Sequence, residues 1–151
     1  MNKFQELLSA DSPLFKAILD RGFDNPSDIQ EKSIPVIIAG KDVIAGAATG
    51  SGKTLAFASA LINNVEIDIG IQGLVLTPTR ELAEQITKEI KDFSKYKNLK
   101  VVSVYGGVSI YNQIKSLLTN LNFNTPLFNP SEAFRALDNS LSNTNGVDVT
   151  V

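Results

Sequence analysis

The 151 residues suffice for one domain with a core, and a composition of 43% hydrophobic and 20% charged residues is ordinary for a globular chain. The absence of cysteine and histidine excludes disulfides, Cys/His zinc sites, thiol nucleophiles and imidazole bases. A net charge of −2 provides no bulk positive field, so any nucleic acid must be held by local groups.

In chain order, Ser12 and Pro13 read as an N-cap followed by proline at the first helical position. Gly22 reads as the left-handed residue after the last turn, which predicts a helix over 13–21. A second helix is expected after Ser27. Asp42-Val43-Ile44-Ala45 reads as a short apolar strand entering a Gly-rich turn. Thr54 to Asn63 reads as an apolar helix, buried over much of its surface, and Gly73 to Thr77 as a second buried strand. From Arg80 to Phe93, Leu82, Ile86, Ile90 and Phe93 recur at helical spacing. Lys100 to Tyr105 reads as a third strand and Ser109 to Leu118 as a further helix. Strands alternating with helices predict parallel βαβ units and a doubly wound α/β sheet.

The character changes after Leu118. Residues 119–145 are rich in asparagine, yet Asn129, Pro130 and Glu132 form a capping pattern ahead of Phe134, Leu137 and Leu141 on one face. This predicts a polar insertion carrying one short helix. Gly146 to Val151 then alternates like a half-buried strand. No apolar run approaches the roughly 18 residues of a membrane span. The start, MNKFQELLSADSP, lacks the apolar core of a secretory signal, and a cysteine-free chain fits a cytoplasmic protein.

The chemistry is concentrated after the first strand, in Gly46-Ala47-Ala48-Thr49-Gly50-Ser51-Gly52-Lys53-Thr54. This is a phosphate-binding loop in its required setting, with a strand before it and a helix after it. Gly50 and Gly52 let the backbone turn tightly and approach an anion without a Cβ in the way. Backbone N–H groups then point inward at the positive end of the following helix. Lys53 supplies a mobile charge for the β/γ-phosphates, and the Thr54 hydroxyl can ligate Mg²⁺. Ala47 departs from the general pattern, which has glycine five residues before Gly52.

The sequence resembles the N-terminal RecA-like domain of the DEAD-box ATP-dependent RNA helicases. Gly22-Phe23-Asp24-Asn25-Pro26-Ser27-Asp28-Ile29-Gln30 is similar to the family's Q motif, with Phe4 as the isolated upstream aromatic. Ala47 to Thr54 matches the family's own loop, which begins with alanine. Pro78-Thr79-Arg80-Glu81-Leu82-Ala83 matches motif Ia, and Gly106-Gly107 ahead of Gln113 matches the glycine doublet. The resemblance implies a P-loop NTPase of RecA-like fold that binds ATP, Mg²⁺ and RNA. ATP would be held by Phe23, Gln30, Ala48, Thr49, Gly50, Ser51, Gly52, Lys53 and Thr54. Pro78, Thr79, Arg80, Gly106 and Gly107 would contact the RNA backbone. The plainer readings stand beside these. Ser27 and Gln30 also form a capping box, Thr79 and Arg80 also start a helix, and the glycine doublet is also a turn. The basic run Lys88, Lys91, Lys95, Lys97 and Lys100 reads as a solvated helix face.

The resemblance also implies a division of the chain. Residues 1–40 form the Q-motif helical region and 41–118 a partial RecA-like ATP-binding core. Residues 119–145 form the insertion, and 146–151 begin a further core strand. In the family, that strand leads into T-P-G-R, and D-E-A-D and S-A-T follow. A second RecA-like domain completes the site. None of the three motifs occurs in these 151 residues. The parent protein is therefore expected to be an RNA-dependent ATPase, and this chain its nucleotide-cradling part, with no catalytic residue of its own and no turnover alone. A non-catalytic nucleotide- and RNA-binding module is one alternative. A P-loop kinase or GTPase is another, but it would need an acceptor-site or guanine-reading motif such as N-K-x-D, and neither is visible.

Overall fold

The computed structural model describes residues 2–67 and 70–120. Within them lie helices α1 (Phe4–Leu7), α2 (Pro13–Asp20), α3 (Asp28–Ile38), α4 (Lys53–Asn64), α5 (Arg80–Phe93) and α6 (Ile110–Asn120). The predicted helix within 119–145 and the strand at 146–151 lie outside the described residues.

Local chemistry explains the helix ends. At the start of α2 the Ser12 Oγ accepts from the Phe15 N–H at 3.1 Å, with Pro13 at the first position. At its end, Gly22 takes φ +71°. The Gly22 N–H donates to the Leu19 carbonyl and the Phe23 N–H to the Ile18 carbonyl, which closes a Schellman motif. The same device ends α3, with Gly40 at φ +75° donating to Ile37 and Lys41 donating to Val36. Thr79 caps α5 by accepting from the Leu82 N–H at 3.2 Å.

The core forms where these helices meet. Leu14, Phe15, Ala17 and Ile18 of α2, Ile34 of α3, and Leu55, Ala56, Ala58 and Ile62 of α4 are buried together with Ile86, Ile90 and Phe93 of α5. The helix α4 is central, packed against α2, α3 and α5. Its small residues Ala56, Ala58 and Ser59 let neighbours approach closely. Phe4, the upstream aromatic, is a core residue. Asn2 fixes this N-terminal turn, accepting from the Phe4 N–H and donating to the Phe23 carbonyl, each at 2.9 Å.

The segments expected as strands, 42–45, 73–77 and 100–105, form no strand ladder among the described residues. Leu74 and Leu76, in the strand expected to be buried, are 79% and 84% exposed, and Ile44 is exposed as well. A parallel strand gains its hydrogen bonds and its burial jointly, from neighbouring strands and from cover on both faces. Here Val75 and Val101 of these stretches lie against the helical core, with Leu99 just ahead of the third. No helix among the described residues is long and apolar enough to cross a membrane.

Candidate nucleotide site and nucleic-acid face

The loop from Gly46 enters α4 through two glycines in the left-handed region, Gly50 at φ +77° and Gly52 at φ +87°. Gly52 is required by space as well as by backbone angle. A Cβ there would lie 2.2 Å from Gln30 Nε2 and 3.4 Å from Ser27 Oγ. Residues 46–50 are exposed, and Ser51 to Thr54 are half-buried. The Lys53 ammonium donates to the Ala47 and Ala48 carbonyls at 2.6 and 2.7 Å, so it lies inside the loop's own curve.

The loop's residues fit a phosphate group. The Ser51 Oγ is buried with no hydrogen-bond partner, a donor that a phosphate oxygen would satisfy. Lys53 can exchange two neutral carbonyls for a charged acceptor. For a metal ion the fit is narrower. No group of three or more Asp or Glu side chains is gathered among the described residues, so Thr54 offers one oxygen. Magnesium takes six ligands and commonly draws them from substrate phosphates and water.

The Q-motif residues are fastened directly to this loop. Gln30, only 7% exposed, accepts from the Ser27 N–H through Oε1 and donates from Nε2 to the Gly52 carbonyl, both at 3.0 Å. The Ser27 Oγ donates to the Ser51 carbonyl at 2.7 Å. The capping box is thus present, and its members also hold the phosphate loop. Phe23 stands elsewhere. It is partly exposed, and its ring lies 6.4 Å from that of Phe93 at the end of α5, with the Arg21 guanidinium 4.6 Å from the Phe93 ring.

The motif Ia and glycine-doublet residues come together. Arg80, the first residue of α5, lies over the Tyr105 ring at 5.5 Å. Its Nη1 is 3.4 Å from where a Cβ on Gly107 would stand, and Gly107 has φ +84°. Pro78 and Thr79 precede Arg80 on the exposed surface, as Gly106 precedes Gly107. Three further residues, Gln113, Tyr105 and Glu84, shape this face. Gln113 of α6 clips the backbone ahead of the doublet, accepting from the Tyr105 N–H at 2.8 Å and donating to its carbonyl at 3.1 Å. The Tyr105 hydroxyl donates to Glu84 Oε1 at 2.5 Å. That bond, with the nearby negative charge, holds the Tyr105 phenol above its ordinary pKa. Tyr105 and Gln113 stand eight residues apart, a spacing that matches no short capping or turn pattern, so the sequence offered only their nearness to the doublet.

The basic run is not uniformly a solvated face. Lys95 pairs with Asp20 at 2.7 Å. The Lys97 Nζ donates to the Ile62 and Asn63 carbonyls at 2.5 and 3.0 Å, at the end of α4. Lys97 departs from the expectation, because the chain turns after Phe93 and brings it to the end of α4, while Lys95 remains exposed beside Asp20. Lys91 and Lys100 line an open cleft of about 750 Å³ with Ser103, Ser109 and Asn112.

Comparisons with known proteins identify the family and the fold. The family described as DEAD/DEAH box helicase matches residues 27–147. The DEAD-box ATP-dependent RNA helicase RhpA of Helicobacter pylori is 49% identical over 107 residues, which are 71% of this chain and 22% of that protein. A crystal structure of a DEAD box protein from Methanococcus jannaschii superposes with a TM-score of 0.68 at 46% identity, over 73% of this chain and 31% of that one. Dbp5 of S. cerevisiae, bound to RNA and ADP BeF3, superposes at 0.63 with 30% identity, over 73% of this chain and 30% of that one. The chain thus spans under a third of the length of these relatives. The fold class is that of the RecA-like α/β domains of P-loop NTPases. By the family match over residues 27–147 and by these relatives, the chain belongs to the DEAD/DEAH box helicase family.

Proposed function

We propose that this chain is the ATP-binding N-terminal portion of a cytoplasmic ATP-dependent RNA helicase, an RNA-dependent ATPase that unwinds or remodels RNA duplexes. The observation that carries this reading is the joint hold of Ser27 and Gln30 on the Ser51 and Gly52 carbonyls. It sets a side-chain amide beside a phosphate loop, and two such elements are what an adenine nucleotide needs. An amide has two acceptor lone pairs and two donor hydrogens. With one of each engaged, Gln30 keeps one of each for the adenine N7 and N6, so capping and base recognition are compatible.

The backbone of Ala48 to Gly52 with Lys53 receives the phosphates, and Thr54 holds Mg²⁺. A magnesium ion held there would supply charge neutralisation for the phosphates. The family resemblance assigns Phe23 to pack on the base, which would require its ring to leave Phe93. Pro78, Thr79, Arg80, Gly106 and Gly107 hold the RNA backbone, where phosphate contacts position the strand without reading its sequence. On this reading residues 1–40 are the Q-motif region and 41–118 the partial nucleotide core. A second RecA-like domain of the parent completes the catalytic site.

The test is the ATPase rate of the full-length protein with and without RNA. An RNA-stimulated rate that Lys53→Ala abolishes is expected. A rate indifferent to RNA, or one that survives Lys53→Ala, would refute the reading. A second reading applies to these 151 residues taken alone. Lacking D-E-A-D, T-P-G-R and S-A-T, they act as a nucleotide- and RNA-binding module without turnover.

A further inference from the structure

Arg80 and Glu84 stand four residues apart on α5, the spacing at which oppositely charged side chains on a helix normally pair. Such a pair would satisfy the guanidinium and remove it from any other anion. The ion pairs between described residues are Arg21–Asp92 and Lys95–Asp20, and Arg80 is in neither. The Glu84 carboxylate is instead engaged by the Tyr105 hydroxyl at 2.5 Å. The ring of the same tyrosine carries the Arg80 guanidinium at 5.5 Å, beside Gly107. Tyr105 itself has little freedom, since Gln113 grips both its N–H and its carbonyl.

We propose that Tyr105 is a positioning residue for nucleic-acid binding. Its hydroxyl draws Glu84 away from Arg80, and its ring presents Arg80 beside Gly107 as a cation for a backbone phosphate. The raised pKa of the phenol agrees, since the hydroxyl keeps its proton to donate it. The inference rests on the reading of Arg80 as an RNA-backbone contact.

The two can fail separately. The measurement is anisotropy of a labelled single-stranded oligouridylate titrated with the full-length protein across a range of salt concentrations. Arg80→Ala is expected to weaken binding about tenfold, and to shrink the slope of log affinity against log salt by about 0.7, the value of one single-strand phosphate contact. Tyr105→Phe keeps the ring but frees Glu84. Binding should fall about two- to threefold, the worth of a surface ion pair at this spacing. Adding Glu84→Gln to Tyr105→Phe should restore wild-type affinity, which a merely structural role for the hydroxyl would not produce. If Arg80→Ala changes neither affinity nor slope, the RNA reading of this face falls and the inference with it. If Arg80→Ala weakens binding but Tyr105→Phe does not, or Glu84→Gln fails to rescue it, only the role of Tyr105 is overturned.

Discussion

The side-chain amide of Gln30 donates to the carbonyl of Gly52 at 3.0 Å, across 22 residues of chain, and so joins the first turn of α3 to the residue that opens α4. Removing the donor alone isolates this bond. Gln30→Glu retains an acceptor for the Ser27 N–H but sets a carboxylate against the Gly52 carbonyl. A loss of about 1–2 kcal/mol in unfolding free energy is expected, with weaker ATP binding. Denaturant titration and calorimetry on the same variant check both, and unchanged values in both would contradict the coupling.

Gly50 and Gly52 share a left-handed backbone but differ in their surroundings. At Gly50 an added Cβ meets nothing within 4 Å, so Gly50→Ala should cost about 1 kcal/mol of backbone strain only. At Gly52 it meets Gln30 Nε2 at 2.2 Å, so Gly52→Ala must also break the Gln30 bond and should cost clearly more. Equal denaturation midpoints for the two variants would contradict this.

Lys53 is expected to dominate nucleotide affinity. Lys53→Ala should weaken ATP·Mg binding by at least about tenfold, the worth of a hydrogen bond to a charged group, and Thr54→Ala should weaken the magnesium-dependent part. The 151-residue chain should show no RNA-stimulated ATP turnover. Calorimetry and a phosphate-release assay check these, and a stimulated rate that Lys53→Ala removes would contradict the second.

The Asp20 cluster predicts an acid-side loss of stability. The hydrogen bonds from Lys95 and then from Tyr96 hold the Asp20 carboxyl below the usual carboxylate range. Its folded pKa is therefore lower than its unfolded one. The stabilisation is present above the unfolded value of about 3.9 and is lost as pH falls through the folded value. These groups are exposed, so the effect is modest. Melting temperatures taken from pH 6 down to pH 3 should fall less steeply in Asp20→Asn than in the wild type.

How much was legible in the sequence depended on range. Ser12, Pro13 and Gly22 act within a few residues of themselves, and α2 begins and ends where they predict. Arg80–Phe93 is the helix its periodicity describes, with Ile86, Ile90 and Phe93 buried. The phosphate loop was legible because glycines, lysine and threonine must be consecutive to surround a phosphate. The apolar runs around Ile44 and Leu74 carry a strand's composition. Composition, however, does not say which neighbours supply the ladder, and these side chains are exposed here. The hold of Gln30 on Gly52, the clip of Gln113 on Tyr105 and the reach of Lys97 to Ile62 depend on how helices pack, which spacing alone cannot show.

The position of Lys97 has an electrostatic consequence for the C-terminal end of α4. Twelve residues make this helix about 18 Å long, and its aligned peptide dipoles place partial positive charge at Gly52 and partial negative charge at Ile62 and Asn63. The Lys97 ammonium sits on the carbonyls of the negative pole and offsets it. Lys97 thereby satisfies carbonyls that the last turn of α4 leaves without an intrahelical partner, and it stabilises this end of the helix.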